Sequence, residues 1–170
     1  MLIGESISLK DMLNCRENRV ELQTKYRLDF QKPLISFCMN IPGPIKTTTE
    51  IQKAFNIGCK EIEKALQRAT MKILDSTRLH KPTGDEWILC AEGDAAKIKA
   101  LMSNIEDSHP LGRIFDIDVI DINGQKLSRT AFRKCLICNA QAQVCARTRK
   151  HSIFEMQNII EEILKAFFIV

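Results

Sequence analysis

Residues 34–55, LISFCMNIPGPIKTTTEIQKAF, change from the pattern of a strand to the pattern of a helix. Between residues 34 and 41 apolar and more polar side chains alternate, which predicts a half-buried strand. The PGP sequence at positions 42–44 ends that strand, and Thr47 followed by Glu50 has the spacing of a helix capping box. Apolar residues then recur at helical spacing. This stretch therefore predicts a strand, a tight turn and an amphipathic helix.

The flanking sequence extends this unit in both directions. A helix is predicted from residue 7 to about residue 27, with Ser8 as its N-cap. Downstream we expect a hairpin of residues 71–79 and 87–91, a helix capped by Asp94, a strand at 114–120 and a last helix from about residue 152. The order β-α-β-β-α-β predicts an α+β, ferredoxin-like fold with an antiparallel sheet. An N-terminal helix and a C-terminal Cys-containing segment plus helix are added to it.

Length and composition predict one globular domain. The chain has 170 residues, of which 45% are hydrophobic and 27% charged. Within this single domain, 1–170, we expect a core at about 33–121, a basic Cys/His segment at about 122–151 and the last helix at about 152–168. No apolar stretch approaches the roughly 20 residues of a membrane span, and no secretory signal is evident, so we expect a cytoplasmic protein. The G-x-S-x-G and P-loop motifs are absent from the sequence.

The positive charge is concentrated near the C-terminus. The net charge is +4, yet residues 122–154 contain no Asp or Glu. That segment carries seven basic residues, Lys126, Arg129, Arg133, Lys134, Arg147, Arg149 and Lys150. Such an excess can bind phosphates, an acidic protein surface or nucleic acid, and it can equally be a solubilising face.

The Asp116-Ile117-Asp118 sequence is the sharpest chemical feature. Side chains two residues apart lie on one side of a strand, so both carboxylates can share a hard divalent cation such as Mg²⁺. The alternative is a pair of surface acids bonded to neighbouring bases. The preceding His109-Pro110-Leu111-Gly112-Arg113 sequence favours a site, because it places a glycine loop and an arginine beside the acids.

Two further patterns are candidates for anion binding. Lys46 lies between the predicted strand and a capped helix start, where free N–H groups and the helix dipole favour an anion. Arg16, Arg19 and Gln23 are spaced by three and four residues, so they project from one face of the first helix. A stiff turn and a solvated helix face are the alternatives.

The cysteines fall into two groups. Cys135-x2-Cys138-x6-Cys145-x5-His151 has the residue types of a zinc site and a first pair at zinc spacing. Buried thiols and an exposed histidine are the alternative, and the sequence leaves the two open. The other four cysteines, Cys15, Cys38, Cys59 and Cys90, are expected in or near the core.

Several ordered segments together resemble one known family. They are residues 16–23, 42–46, 55–58, 108–119, 128–129, 135–138 and 144–147, and the H-P-L-G-R-x-x-D-I-D-V string within them is the most specific. The chain resembles the apo-citrate lyase phosphoribosyl-dephospho-CoA transferases, also called holo-citrate lyase synthases. Position 115 is Phe where the family commonly has Trp, and residues 128–135 form a short stretch without proline.

The resemblance implies a nucleotidyltransferase-type reaction. The 2'-(5''-triphosphoribosyl)-3'-dephospho-CoA group would be transferred to a serine of the citrate lyase acyl carrier protein (gamma chain), with release of diphosphate. Asp116 and Asp118 would be catalytic and hold Mg²⁺. Our candidates for the donor's phosphates are Arg16, Arg19, Gln23, Lys46, Arg113 and Arg129.

Two other functions fit parts of the sequence. A nucleic-acid-binding module would use the basic segment and a Cys/His knuckle, but few aromatic residues are available for stacking, and the acidic pair lies on the face that RNA would occupy. A regulatory protein could dock through its apolar last helix. Packing on the sheet explains the apolar stripe of that helix equally well. Neither function is our main expectation.

Overall fold

A computed structural model describes residues 2–168 and contains one antiparallel sheet. The elements in chain order are α1 Leu9–Phe30, β1 Leu34–Met39, α2 Thr49–Arg68, β2 Ile73–Leu79, β3 Glu86–Ala91, α3 Ala95–Ser108, a 3₁₀ turn Gly112–Ile114, β4 Phe115–Ile120, α4 Ala142–Thr148 and α5 Ile153–Phe168. The sheet has the order β2-β3-β1-β4. A mixed helix and antiparallel-sheet architecture with added terminal helices is thus confirmed, while the short α4 was not predicted. None of the described helices is long and apolar enough to cross a bilayer.

The helix starts follow the capping residues, with one correction. Ser8 and Asp11 form a reciprocal capping box on α1, and Asp94 caps α3 through the N–H of Lys97. The prediction of Thr47 as the cap of α2 was wrong. Thr48 is the extended N-cap residue, and its hydroxyl oxygen accepts from the N–H of Ile51 at 3.3 Å. Residues 47–49 are all threonine, so the residue type could not show whether the helix is capped by Thr47 or by Thr48.

The main core lies between the sheet and helices α2, α3 and α5. Phe37 of β1 stacks on Phe55 of α2 at 4.9 Å between ring centroids, and Phe115 of β4 meets Phe37 edge-on at 5.4 Å. A Cβ atom at Gly58 would collide with the Phe37 ring, so glycine permits this close approach of helix and strand. The inward side chains of β1 and β4 are the ones that the alternation predicts.

The opposite face of the sheet is covered by α1. Tyr26 of α1 packs with Leu34, Ile88, Cys90 and Ile120 in a second, smaller apolar cluster. Its hydroxyl lies 2.8 Å from the hydroxyl of a threonine on β2. The face that carries Asp116 and Asp118 is therefore partly roofed by a helix.

β4 is an edge strand, and its outward backbone groups are satisfied by side chains. In an antiparallel pair alternate residues turn their N–H and C=O groups away from the partner strand. Ile117, between the two aspartates, is such a residue. Its N–H donates to Glu106 Oε1 at 3.0 Å, and its carbonyl accepts from Lys99 Nζ at 3.1 Å.

The segment after β4 completes the cover of this edge. Arg133 Nη2 donates to the carbonyl oxygen of Phe115 at 2.6 Å. The backbone N–H of Leu127 donates to the carbonyl of Val119 at 2.8 Å. These contacts protect the edge from further strand pairing and hold β4 in place.

We expect Glu106→Ala to lower the free energy of unfolding by about 3 kcal/mol, because it leaves the Ile117 N–H without a partner and removes the carboxylate that faces the Arg133 guanidinium. Glu63→Ala removes the exposed ion pair with Arg78 and should cost at most about 1 kcal/mol. Urea denaturation of the two variants and the parent measures both effects. Similar losses in the two variants would contradict the role of Glu106.

The fold also predicts a pH dependence at His109. Its Nδ1 accepts from the N–H of Leu111 at 3.0 Å, and its ring packs against Phe115 and Phe167. Burial lowers the pKa of His109 below its usual 6.5. Between pH 6.5 and the lowered pKa of the folded state, His109 is protonated more in the unfolded chain than in the folded one. The free energy of unfolding therefore decreases as the pH falls through this range.

We expect the urea midpoint to fall between pH 7.5 and 5.5 by more in the parent than in His109→Gln. Glutamine does not titrate, so the variant lacks the contribution of His109 to the dependence of stability on pH. Equal falls in the two proteins would show that His109 does not contribute.

Candidate functional site

Asp116 and Asp118 project from the same side of β4, as the alternation of the strand predicts. In the neighbouring strand β1, Asp116 lies opposite Cys38 and Asp118 lies opposite Ser36. Both carboxylates line one cavity of about 480 Å³, which we call the β4 cavity. The basic residues that line it with them are Lys99, Lys126, Arg129 and Arg133.

A second, smaller cavity lies on the α1 side of Asp116. This α1 cavity has a volume of about 140 Å³ and brings together Arg16 and Arg19 of α1 with Lys46 from the loop before α2. Asp116 lines both cavities, so they adjoin at its carboxylate. The tertiary structure thereby joins three motifs that are far apart in sequence.

The two aspartates have different surroundings. Asp118 Oδ2 forms an ion pair with Lys126 Nζ at 2.5 Å. Within residues 2–168, Asp116 has no basic side chain at ion-pair distance, and its Oδ2 accepts a weak hydrogen bond from the Cys38 thiol at 3.8 Å. Burial, and next the Asp116 charge, raise the pKa of Cys38 to about 12, so that thiol stays protonated. Asp116 is therefore the carboxylate whose charge is available to a ligand.

The bases of the α1 cavity are engaged to different extents. Arg19 Nε donates to the buried Glu86 at 2.6 Å, and Lys81 Nζ lies 3.4 Å from the other oxygen of that carboxylate. Lys46 Nζ donates to the carbonyl of Ile41 at 2.7 Å. Burial, and next the charge of Arg16, lower the pKa of Lys46. Arg16 is exposed and has no hydrogen-bond or ion-pair partner among the described residues, so its whole guanidinium is free for an anion.

Three further predicted phosphate-binding residues, besides Arg19 and Lys46, are held by the protein itself. Gln23 donates to the Ser36 hydroxyl at 3.0 Å and lines neither cavity, because that part of the α1 face packs on the sheet. Arg113 Nη2 donates to the carbonyl of Cys135 at 2.5 Å and also lines neither cavity. Arg129 lines the β4 cavity, and its Nη2 pairs with Asp107 at 2.5 Å.

Three basic residues of the β4 cavity were not sequence candidates for the site. Lys99 lies on α3 one residue from the buried Ile98, and burial lowers its pKa. Lys126 and Arg133 belong to the basic segment, where nothing in the sequence distinguishes them from the exposed bases. Lys99 and Glu106 are seven residues apart on the buried side of α3. Two charged residues beside the apolar stripe of a helix were the sequence feature that could have indicated their place in the site.

The residues proposed as zinc ligands come together outside both cavities. Side-chain ligand atoms of Cys135, Cys138, Cys145 and His151 all lie within 4.8 Å of one another. The remaining cysteines follow the prediction: Cys15, Cys59 and Cys90 are buried, and Cys38 is half-buried in the wall of the α1 cavity.

Comparison with known proteins identifies one family. Residues 7–167 match the family model described as apo-citrate lyase phosphoribosyl-dephospho-CoA transferase. Two proteins of Streptococcus pyogenes, each named as a probable apo-citrate lyase phosphoribosyl-dephospho-CoA transferase, are 41% and 40% identical over 97% of this chain and 89% of their own length. A Vibrio cholerae protein with the same name is 34% identical over 93% of this chain and 92% of its own length.

The two arginines of the α1 cavity should respond differently to truncation. Arg19→Ala leaves the buried Glu86 with the more distant Lys81 and the weakly donating Cys15 thiol, so we expect a loss of about 2 kcal/mol in unfolding free energy. Arg16→Ala removes an exposed, unpaired side chain and should change stability by no more than about 0.5 kcal/mol. Chemical denaturation of both variants tests this, and equal losses would contradict the distinction.

Proposed function

The chain belongs to the apo-citrate lyase phosphoribosyl-dephospho-CoA transferase family, and on that basis we propose the reaction that its site performs. The donor is 2'-(5''-triphosphoribosyl)-3'-dephospho-CoA, and the acceptor is a serine of the citrate lyase acyl carrier protein, the gamma chain. The serine oxygen forms a bond to the innermost phosphorus of the triphosphate. The bond from that phosphorus to the diphosphate breaks, diphosphate leaves, and the carboxylate of Asp116 or Asp118 would accept the hydroxyl proton.

The observation that carries this proposal is the meeting at Asp116 of two cavities, each of which has at least three basic side chains among its acidic ones. A donor with a triphosphate at one end and a nucleotide at the other needs positive charge on both sides of the attacked phosphorus. The α1 cavity, at about 140 Å³, has room for a diphosphate but not for a nucleotide. We place the leaving diphosphate there, against Arg16 and Lys46, and the dephospho-CoA part in the larger β4 cavity.

The protein's contribution is to position the reactants and neutralise charge. Arg16 can grip two phosphate oxygens with its planar fork, and Lys46 adds a point charge beside them. Lys126 and Arg129 supply positive charge on the other side of the attacked phosphorus, and both are anchored by carboxylates. This anchoring keeps them in place before the donor arrives.

A magnesium ion fits the acidic pair. Both carboxylates line one cavity, and Asp116 has no basic partner at ion-pair distance among the described residues. Asp116 and Asp118 would hold the ion, which supplies charge neutralisation on the phosphates when bound. The positive charge of Lys126 offsets that of Asp118 and so reduces the repulsion between Asp118 and Asp116.

The carrier protein would approach the exposed bases of the C-terminal segment. Lys134, Arg147, Arg149 and Lys150 are exposed, and Val144 beside them is 49% exposed. A basic rim around an exposed apolar side chain suits an acidic protein surface. Such a partner would bring its serine to the neighbouring β4 cavity.

We expect Asp116→Asn and Asp118→Asn each to lower the transfer rate by at least about 100-fold, since charge is removed with little change in volume. Mass spectrometry of apo carrier protein incubated with enzyme, donor and Mg²⁺ measures the reaction. The expected product is heavier than the apo carrier protein by the mass of the donor less diphosphate.

The matched control is Asp29→Asn, which removes an exposed acid at the end of α1 that lines neither cavity. It should react at the parent rate. Substantial turnover in both site variants would reject the role of the acidic pair. No mass gain with the parent, together with salt-sensitive binding of nucleic acid, would favour the nucleic-acid-binding alternative.

A further inference from the structure

The segment from residue 122 to residue 152 has almost no apolar core of its own. Its only two buried residues are Cys135 and Cys145, whereas Phe132 and Val144 are about half exposed. Yet the segment has a definite fold, with a hairpin and the helix α4. Leu127 and Leu136 pack, partly buried, against the main core, but the centre of the segment buries only the two cysteines. A segment with so few buried side chains needs another source of stability, and in small modules that source is often a metal ion.

The four side chains at its centre have the spacing of one tetrahedral ion. Cys138 Sγ lies 3.6 Å from Cys145 Sγ and 3.3 Å from His151 Nε2. With zinc–sulfur bonds of about 2.3 Å and zinc–nitrogen bonds of about 2.0 Å, tetrahedral ligand atoms lie roughly 3.5–3.8 Å apart. These two separations are close to those values, and the other pairs of ligand atoms all lie within 4.8 Å, which is near enough for the four side chains to close on one ion.

The backbone prepares each ligand. Cys135 N–H donates to the carbonyl of Ala140 at 2.7 Å and closes a tight hairpin around Cys138. Cys145 lies on helix α4. Arg149 follows the helix in the left-handed backbone conformation and turns the chain, so that His151 lies back at the cluster.

We propose that Cys135, Cys138, Cys145 and His151 bind one structural zinc ion, which serves as the core of the 122–152 segment. Four protein ligands leave no open position for a substrate or water, which is typical of structural sites. Three thiolates and a zinc ion carry a net charge of −1, and Lys150 Nζ lies 3.8 Å from Cys138 Sγ to balance it.

This zinc site would stabilise one wall of the β4 cavity. Arg113, in the turn before β4, donates to the carbonyls of Lys134 and Cys135. Arg133 in return donates to the carbonyls of Gly112, Arg113 and Phe115. The metal-bound hairpin and the loop that leads to Asp116 thus hold each other, and Arg133 itself lines the cavity.

Metal analysis of the full chain, purified under reducing conditions, tests the proposal. We expect one zinc per chain in the parent and in Cys59→Ala, a control that alters a buried cysteine of α2 outside the cluster. Cys138→Ser and His151→Ala should lose most of the metal. His151→Cys should retain it, because four cysteines also form a structural zinc site.

Two measurements on the parent keep the test valid should the variants fail to fold. Replacement of zinc by Co²⁺ should produce the charge-transfer absorption of cobalt–thiolate bonds. A strong chelator should speed hydrogen exchange in residues 122–152 while the sheet amides remain protected. A metal-free parent, or a parent lighter by two hydrogens through a Cys138–Cys145 disulfide, would overturn the proposal.

Discussion

The arrangement of this protein depends on how the outer edge of β4 satisfies its backbone hydrogen bonds. A buried N–H or C=O group without a partner costs roughly 1–3 kcal/mol, and in most sheets a further strand supplies the partners. Here Glu106 and Lys99 bind both backbone groups of Ile117, and Arg133 binds the carbonyl of Phe115. The charged side chains that serve the backbone also line the β4 cavity. Stability and site are therefore built from the same residues.

This arrangement explains why the acidic pair is held so firmly. Asp116 and Asp118 flank Ile117, so the strand cannot rotate or shift without breaking the contacts to α3. The helix α1 then roofs the same face of the sheet and brings Arg16 and Arg19 to Asp116. Both acids point to this one face, and two cavities open beside them, with Asp116 lining both. An extended ligand with several negative charges is the kind that we propose for such a divided site.

Local patterns predicted most of the elements because their causes are local. Alternation in β1 and β4 identifies which side chains enter the core, and Ser8 and Asp94 mark helix starts through hydrogen bonds within one turn. The Thr47 cap was missed by one residue because three adjacent threonines offer the same hydroxyl. Gln23 and Arg113 show the limit of helical and loop patterns, since a polar side chain on a predicted face can bind either a ligand or the protein.

The sequence by itself determined the order of the strands and of the helices other than the short α4, the common side of Asp116 and Asp118, and the ligand types in the Cys/His segment. These follow from periodicity and residue chemistry, which act over a few residues. Only the tertiary structure decided that α1 covers the acidic face, that Lys99 joins the site from α3, and that His151 returns to Cys138. Such contacts join residues that are distant in sequence. They depend on which faces of the sheet and helices are buried and on how buried charges pair, and a local sequence pattern contains neither kind of information.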